Sequence, residues 1–233
     1  MLLGLISDIH SNLQALDAVL VQLSTADKIL CAGDVVGYYD QPNEVCARLR
    51  EIGAETIRGN HDAYVIGALE PAASRRTAYR TDWTRSQLTS ENLDWLRSLP
   101  LERRFIFNSR EIVLRHASPW DEETYLYRDS PRLSDVSLPP ESYMVVGHTH
   151  YPLSCTAGKG VLINPGSVGQ PRDRNPRASH ALLNTSDGTV SFFRSGYDVT
   201  KMQKRLESLD WDRDMISILS RTGNDLPPQS DRQ

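Results

Sequence analysis

Leu2-Leu3-Gly4-Leu5-Ile6, running straight into Ser7-Asp8-Ile9-His10, reads as a short buried strand that ends in a polar loop. Asn12 to Leu23 then has helical spacing, with Leu13, Leu16, Val19, Leu20 and Leu23 on one face. Lys28 to Ala32 is a second apolar run and stops at Gly33-Asp34. Pro42 in a first helical turn and Gly53 just past an end bracket a helix from Pro42 to Ile52. Glu55 to Arg58 is a third short strand and stops at Gly59-Asn60. Strand, helix, strand, helix, strand predicts a parallel α/β layer. Open sheets of that kind bind ligands beyond the carboxyl ends of their strands, where Asp8, Asp34 and Asn60 fall.

The pattern then changes. Ala63 to Pro100 reads as mostly helical and charged, with Thr89 or Ser90 as an N-cap and Pro100 as the stop. It is expected as an insertion at about 63–100, either a cap over the site or a packing helix pair. Arg103 to Phe107 and Glu111 to Arg115 predict a hairpin around Asn108-Ser109. Ser142 to Val146 is the next strand. Leu153 to Thr156 and Val161 to Asn164 flank a turn at Ala157-Gly158-Lys159-Gly160, and Ala178 to Leu183 and Thr189 to Arg194 flank Asp187-Gly188. Val199 to Leu209 has helical spacing again. One domain over 1–221 and a flexible polar tail over 222–233 are expected.

The 233 residues suffice for a substantial core. The formal net charge of −4 gives no general attraction to nucleic acid or to an anionic membrane. Cys31, Cys46 and Cys155 are odd in number and widely spaced, so they predict buried thiols in a reducing compartment rather than disulfides. No apolar stretch approaches a membrane span, and the first residues lack a basic leader, which predicts a cytoplasmic protein.

Five of the six histidines lie in short loops that also carry Asp or Asn or follow an apolar run. In order these loops are Asp8-Ile9-His10, Gly33-Asp34, Gly59-Asn60-His61-Asp62, His116 and Gly147-His148-Thr149-His150. Nitrogen and oxygen donors with no thiolate among them suit divalent metal ions. Each motif alone is weak; all of them, in this order and each after a strand, point to one metal site. His180 falls inside a strand and reads as a packed residue.

This ordered set resembles the signature of the calcineurin-like metallophosphoesterases, over about residues 1–195. The resemblance implies an α/β fold, a four-layer α-β-β-α sandwich of two mixed sheets. It implies two metal ions, with Asp8, His10, Asp34 and His150 on the first and Asp34, Asn60, His116 and His148 on the second. Asp34 would be shared, since a carboxylate has two oxygens, and Gly33 would let the backbone turn to aim it. Two divalent ions roughly 3.5–4 Å apart would clamp a phosphate and ready a bridging hydroxide for in-line attack. Manganese is the foremost candidate, with Fe, Ni, Co or Zn as alternatives. His61 would face the substrate and protonate the leaving group, with Asp62 holding its ring. Ala117 stands where many family members have Gly after the lone histidine.

The loop Asn164 to Arg174 is similar to one in small members related to symmetrical dinucleoside tetraphosphatases. Arg172 or Arg174 would then fork onto a second phosphate. Tyr38 and Tyr39 follow Asp34 closely and are candidates to stack on a substrate ring. A small phosphorylated substrate, such as a nucleotide, is the expected partner, and a homo-oligomer is compatible with the sequence. Protein Ser/Thr phosphatases fit less well, because Val35-Val36-Gly37-Tyr38-Tyr39 carries no phosphate-gripping arginine. A non-catalytic scaffold of the same fold would show damaged ligands, and here every proposed one is present.

Overall fold

The structure, a computed structural model, describes residues 1–223, so residues 224–233 of the expected tail lie outside the described residues. Five strands form the first sheet: β1 (Leu2–Ile6), β2 (Lys28–Cys31), β3 (Glu55–Thr56), β9 (Ala178–Asn184) and β10 (Val190–Ser195), in the order β10-β9-β1-β2-β3. The second sheet has β4 (Glu102–Phe107), β5 (Arg110–Arg115), β6 (Ser142–Val145), β7 (Leu153–Ala157) and β8 (Gly160–Asn164), in the order β4-β5-β6-β8-β7. Both sheets are mixed. β1, β2 and β3 run parallel, as do β5, β6 and β8, while β9, β10, β4 and β7 pair antiparallel.

The sheets face each other across an apolar layer. Leu3, Leu5, Leu30 and Ile57 meet Ile112, Leu114, Val145 and Ile163 there, all fully buried. Each such side chain stabilises the fold by about 1.5–3 kcal/mol. The other face of β1 turns to helix α1 (Leu13–Gln22), where Gly4 leaves room for Leu23. Asn12 caps α1 by accepting the Ala15 N–H at 3.1 Å. Helix α2 (Pro42–Glu51) adds Val45, Cys46 and Leu49 to that core, which also takes Cys31 of β2, so two cysteines serve as small apolar side chains. The outer face of the second sheet is covered by Leu126, Val136 and Leu138 from the long β5–β6 connection, which contains a 3₁₀ turn at Pro131–Asp135.

Several boundaries differ from the sequence reading. Strand β3 is only two residues long. Beyond it, Arg58 gives its N–H to the Pro100 carbonyl at 2.9 Å instead of to β2. The loop Asn60-His61-Asp62 is the first turn of helix α3 (Asn60–Ile66), not irregular chain. The stretch 63–100 holds the rest of α3, then helices α4 (Thr81–Gln87) and α5 (Ser90–Ser98). Thr89 caps α5 by accepting the Asn92 N–H at 3.2 Å. Asn92 in turn binds Asn43 on α2 at 3.0 Å, and Leu96 enters the core beside α1 and α2. Helix α6 (Val199–Ser208) lies where spacing put it, and a short α7 (Arg213–Ile218), too brief to show a period, follows. Their Met202, Leu206, Trp211 and Ile216 pack on Tyr38 and Tyr39. Among the described residues no helix is long and apolar enough to cross a membrane, and the three cysteines are free thiols.

Candidate metal centre

Parallel strands of both sheets end at the same edge of the molecule. Asp8 lies just past β1, Asp34 past β2, and Asn60 past β3 at the start of α3. His116 follows β5 directly, and His148 and His150 follow β6. Loops from two sheets therefore deliver donors to one point. Gly33 and Gly59 cross there nearly back to back: a Cβ on Gly33, whose φ is +90°, would lie 2.6 Å from the Gly59 nitrogen. Only glycine permits that approach.

The donors fall into two groups. Asp8, His10, Asp34 and His150 make one, and Asp34, His116 and His148 the other, with ligand atoms in each within 4.8 Å of one another. Asn60 joins the second, its Oδ1 2.9 Å from His116 Nε2 and 3.0 Å from His148 Nδ1. Asp34 belongs to both groups.

Hydrogen bonds at the back of each ring fix which nitrogen faces inward. His10 Nδ1 donates to the Val36 carbonyl at 3.2 Å, and His116 Nδ1 to the Ala32 carbonyl at 2.7 Å. His150 Nδ1 donates to the Gln170 carbonyl at 2.7 Å, and His148 Nε2 to the Glu123 carbonyl at 3.0 Å. A carbonyl only accepts, so each bond places the proton on the outer nitrogen and a lone pair on the inner one. Neutral imidazoles oriented this way are what metal coordination requires. The inner Nε2 atoms of His10 and His150 sit 3.1 Å apart. Two lone pairs at that distance repel unless a cation or proton lies between them, so the donor set fits a divalent metal.

Electrostatics agree. Burial pushes His10 down to about 4 and His148 down to about 3, so both are neutral at pH 7. His150 is likewise held well below the usual range by burial and by the Arg172 charge. His116 goes the other way. Burial opposes its charge, but the Asp34 carboxylate, 3.4 Å from Nε2, outweighs this and raises it to about 10. A proton on His116 thus sits where a cation would. Burial pushes Asp8 up to about 7, while burial resists charge on Asp34 and the charge on His116 overrides it, holding its carboxyl well below normal. Backbone strain is concentrated here too: Asp8, His10, Asp34, His148 and His150 all have φ between 50° and 68°. That region costs a non-glycine residue about 1 kcal/mol or more.

Comparison with known proteins bears on this arrangement. The profile of the calcineurin-like phosphoesterase superfamily domain matches residues 1–188. The chain belongs to that superfamily. It is 33% identical over 223 residues to protein MJ0912 of Methanocaldococcus jannaschii, covering 88% of this chain and 91% of that one. A solved metallophosphoesterase from Sphaerobacter thermophilus is similar at 30% identity and a TM-score of 0.78, covering 95% of this chain and 98% of its own. Protein PH1004 of Pyrococcus horikoshii shares the fold at a TM-score of 0.81 and 22% identity, over 96% of this chain and 99% of its own.

Around the donors, this superfamily member carries a second ring of side chains. His61 stands beside them: its ring centre is 4.8 Å from that of His10, and its backbone N–H donates to Asp34 Oδ1 at 2.8 Å. Burial keeps the ring well below its ordinary pKa, so it is neutral. Asp62 does not hold that ring. Its Oδ1 accepts the Val36 N–H at 3.1 Å and its Oδ2 the Gly59 N–H at 2.9 Å, which caps α3 and ties it to the Asp34 loop. The reason is helical geometry: the third residue of a helix reaches back to the cap, not sideways to its neighbour.

Tyr38 lies at the centre, its ring 4.7 Å from His10 and 4.6 Å from His61. Arg172 donates to its hydroxyl at 3.0 Å. Tyr39, by contrast, is buried away from the donors, its hydroxyl bonded to Gln170 Nε2 at 3.2 Å. Arg174 is exposed and lies against Gly223. His180 is packed, stacked on Phe193 with ring centres 5.7 Å apart.

Sequence reasoning missed the other tyrosines. Tyr79 packs on His61 at 4.4 Å and Tyr64 at 5.6 Å, while Tyr125 covers His148 at 3.9 Å. No local motif marks them: the turn at 71–80 and the 116–141 connection have no period, and α3, which carries Tyr64, is only seven residues long. It also missed Asn164, whose amide holds the Gly147 carbonyl at 2.6 Å and Thr149 Oγ1 at 3.0 Å, fixing the loop that carries His148 and His150.

Proposed function

We propose that this chain is a phosphoesterase that works with two divalent metal ions, Mn²⁺ foremost. One observation carries this: two donor groups share Asp34, and every histidine in them has its outer nitrogen committed to a backbone carbonyl. His10, Asp8 and His150 with Asp34 would hold one ion, and His116, His148 and Asn60 with Asp34 the other. Such a pair supplies Lewis-acid contacts for phosphate oxygens and a hydroxide at neutral pH.

The chain's own residues do the rest. Carbonyls of Val36, Ala32, Gln170 and Glu123 lock the rings, so little reorganisation accompanies reaction. Asn60 adds a neutral oxygen and spares the incoming phosphate a third negative charge. His61 presents a neutral imidazole beside the donors. An arriving phosphate favours its charged form, which then gives its proton to the departing oxygen. The tyrosines around His61 and His148 limit water at those rings.

The test is hydrolysis of bis-p-nitrophenyl phosphate and p-nitrophenyl phosphate by protein stripped with chelator and then loaded with Mn²⁺. Turnover only in the loaded sample, with two equivalents bound, supports the reading. Equal turnover without metal overturns it. A complete donor set disfavours the scaffold reading, and the lack of an arginine in Val35–Tyr39 disfavours the phosphoprotein reading.

A further inference from the structure

His61 has its backbone N–H on Asp34, but among the described residues no hydrogen bond holds its imidazole. Packing keeps the ring in place. Tyr79 lies on it at 4.4 Å and Tyr38 at 4.6 Å, ring centre to ring centre. Gly37, with φ +95°, stands at its edge, where a Cβ would come within 2.8 Å of Nδ1. The outer torsion of a histidine is intrinsically broad. The orientation of this ring is therefore set by where Tyr38 and Tyr79 stand.

Both tyrosines are fastened by one distant side chain. Tyr38 has a left-handed backbone, φ 56°, which a residue with a Cβ disfavours. Its N–H donates to the Tyr79 carbonyl at 3.1 Å, and its own carbonyl accepts the indole N–H of Trp211 at 2.7 Å. Trp211 is buried. The guanidinium of Arg80, the residue after Tyr79, lies 3.8 Å above its ring centre, and Trp83 meets it edge-on at 4.6 Å. Trp211 thus reaches Tyr38 through its N–H and the Tyr79 segment through its face. Arg205 of α6 grips the same loop at a second point, donating to Asp40 Oδ2 at 2.5 Å. The superfamily profile ends at residue 188, so α6, α7 and the Trp211 between them lie beyond the matched segment.

We infer that Trp211 is a positioning residue for His61, acting through Tyr38 and Tyr79 from outside the matched segment. This rests on the phosphoesterase reading, in which His61 gives its proton to the departing oxygen as the P–O bond breaks. Trp211 belongs to neither donor group, and His10, the donor that Tyr38 also meets, is locked separately by the Val36 carbonyl. Loosening the indole should therefore turn the proton donor and leave the donors for metal in place. The loss should be largest where the leaving oxygen most needs a proton.

The test compares Mn²⁺-loaded parent, Trp211→Phe, His61→Ala and the double variant on phenyl phosphate and p-nitrophenyl phosphate. Phenylalanine keeps an aromatic face for Arg80 and removes the N–H. Trp211→Phe is expected to hold two equivalents of Mn²⁺, with KM changed by less than about twofold. Its kcat on phenyl phosphate should fall roughly 10–100-fold, and less on p-nitrophenyl phosphate, whose leaving group needs less help. In the His61→Ala background the same substitution should cost less than about twofold more, because nothing is left to position. A second readout needs neither metal nor substrate. With ¹³C-labelled histidine, the His61 ring signal, assigned by its absence in His61→Ala, should shift or broaden in Trp211→Phe while that of His180 stays. If circular dichroism shows that the phenylalanine variant does not fold, Trp211→benzothienylalanine, similar in shape but without the N–H, takes its place. Parent-like kcat with an unmoved His61 signal overturns the inference. So does an equal loss on both esters that recurs in the His61→Ala background, or a loss that follows shed metal. A loaded parent that cleaves neither ester removes the phosphoesterase reading instead, and the ring signal then decides whether Trp211 orients His61.

Discussion

Asp34 and His61 are joined through the backbone: the His61 N–H donates to Asp34 Oδ1 at 2.8 Å, while Asp34 Oδ2 faces His116 at 3.4 Å. One carboxylate thus holds the loop that carries the candidate proton donor and stands between both donor groups. Asp34→Asn keeps the shape and loses the charge. Expected is a fall in bound Mn²⁺ from two equivalents to one or fewer, measured by elemental analysis. Activity should drop by more than the roughly 10–100-fold typical of groups that only support a ligand. Full metal content in the variant would refute Asp34 as the shared ligand.

His61→Ala should behave differently. His61 contributes no atom to either donor group, so both ions should stay bound. A lost general acid predicts a fall in kcat of roughly 10²–10⁴-fold. The check pairs steady-state kinetics with metal analysis; a variant that fails because it sheds metal would reassign the residue.

Asp62 tests its own corrected role. Its carboxylate accepts from Val36 and Gly59, and burial with the nearby Asp34 charge pushes it up to about 7. Asp62→Ala should lower stability in urea by about 2 kcal/mol, the upper end for a lost cap. An unchanged midpoint would mean those two bonds contribute nothing.

The contrast between Asp62 and His61 shows what the sequence made legible. The donors were readable because each follows an apolar run within a few residues, and strand ends in parallel sheets share an edge. Gly33 and Thr89 were readable because a tight turn and a helix cap each demand a residue type. Asp62 was misread because adjacency in sequence suggested contact, whereas α3 starts at Asn60 and turns its third residue backwards. Arg172 and Arg174 were indistinguishable in sequence. Only the Gln170 and Tyr38 contacts hold one of them at the site. The tyrosines at positions 79, 125 and 127 come from irregular segments whose course depends on what they pack against, and Tyr64 from a helix too short to show a period.

His180 supplies a pH prediction away from the metal. Burial lowers it to about 4, helped by the Arg194 charge. Its folded value lies below the unfolded one of about 6.5, so protons favour the unfolded chain. The stability it contributes is intact above that pH and is lost as pH falls toward 4. His180→Phe keeps the stacking on Phe193 and removes the titration. Its acid unfolding midpoint, followed by circular dichroism in chelator, should move to lower pH than the parent's. An identical midpoint would remove His180 from the acid response.

Metal removal should also be visible without substrate. Ions that bind only the folded chain raise its melting temperature by mass action. Calorimetry is expected to show a higher Tm in excess Mn²⁺ than in chelator, and His150→Gln should shrink the gap. Identical melting curves would mean that the folded donors hold no ion.

Five donors sit where the backbone is twisted left-handed, at positions 8, 10, 34, 148 and 150. Glycine would rest there without penalty, but glycine brings no oxygen or nitrogen to the edge. Heat resistance and chemistry therefore pull those five positions in opposite directions. A descendant freed from turnover would harden by shedding the very residues that once gave it work, and its thermal tolerance would record the loss.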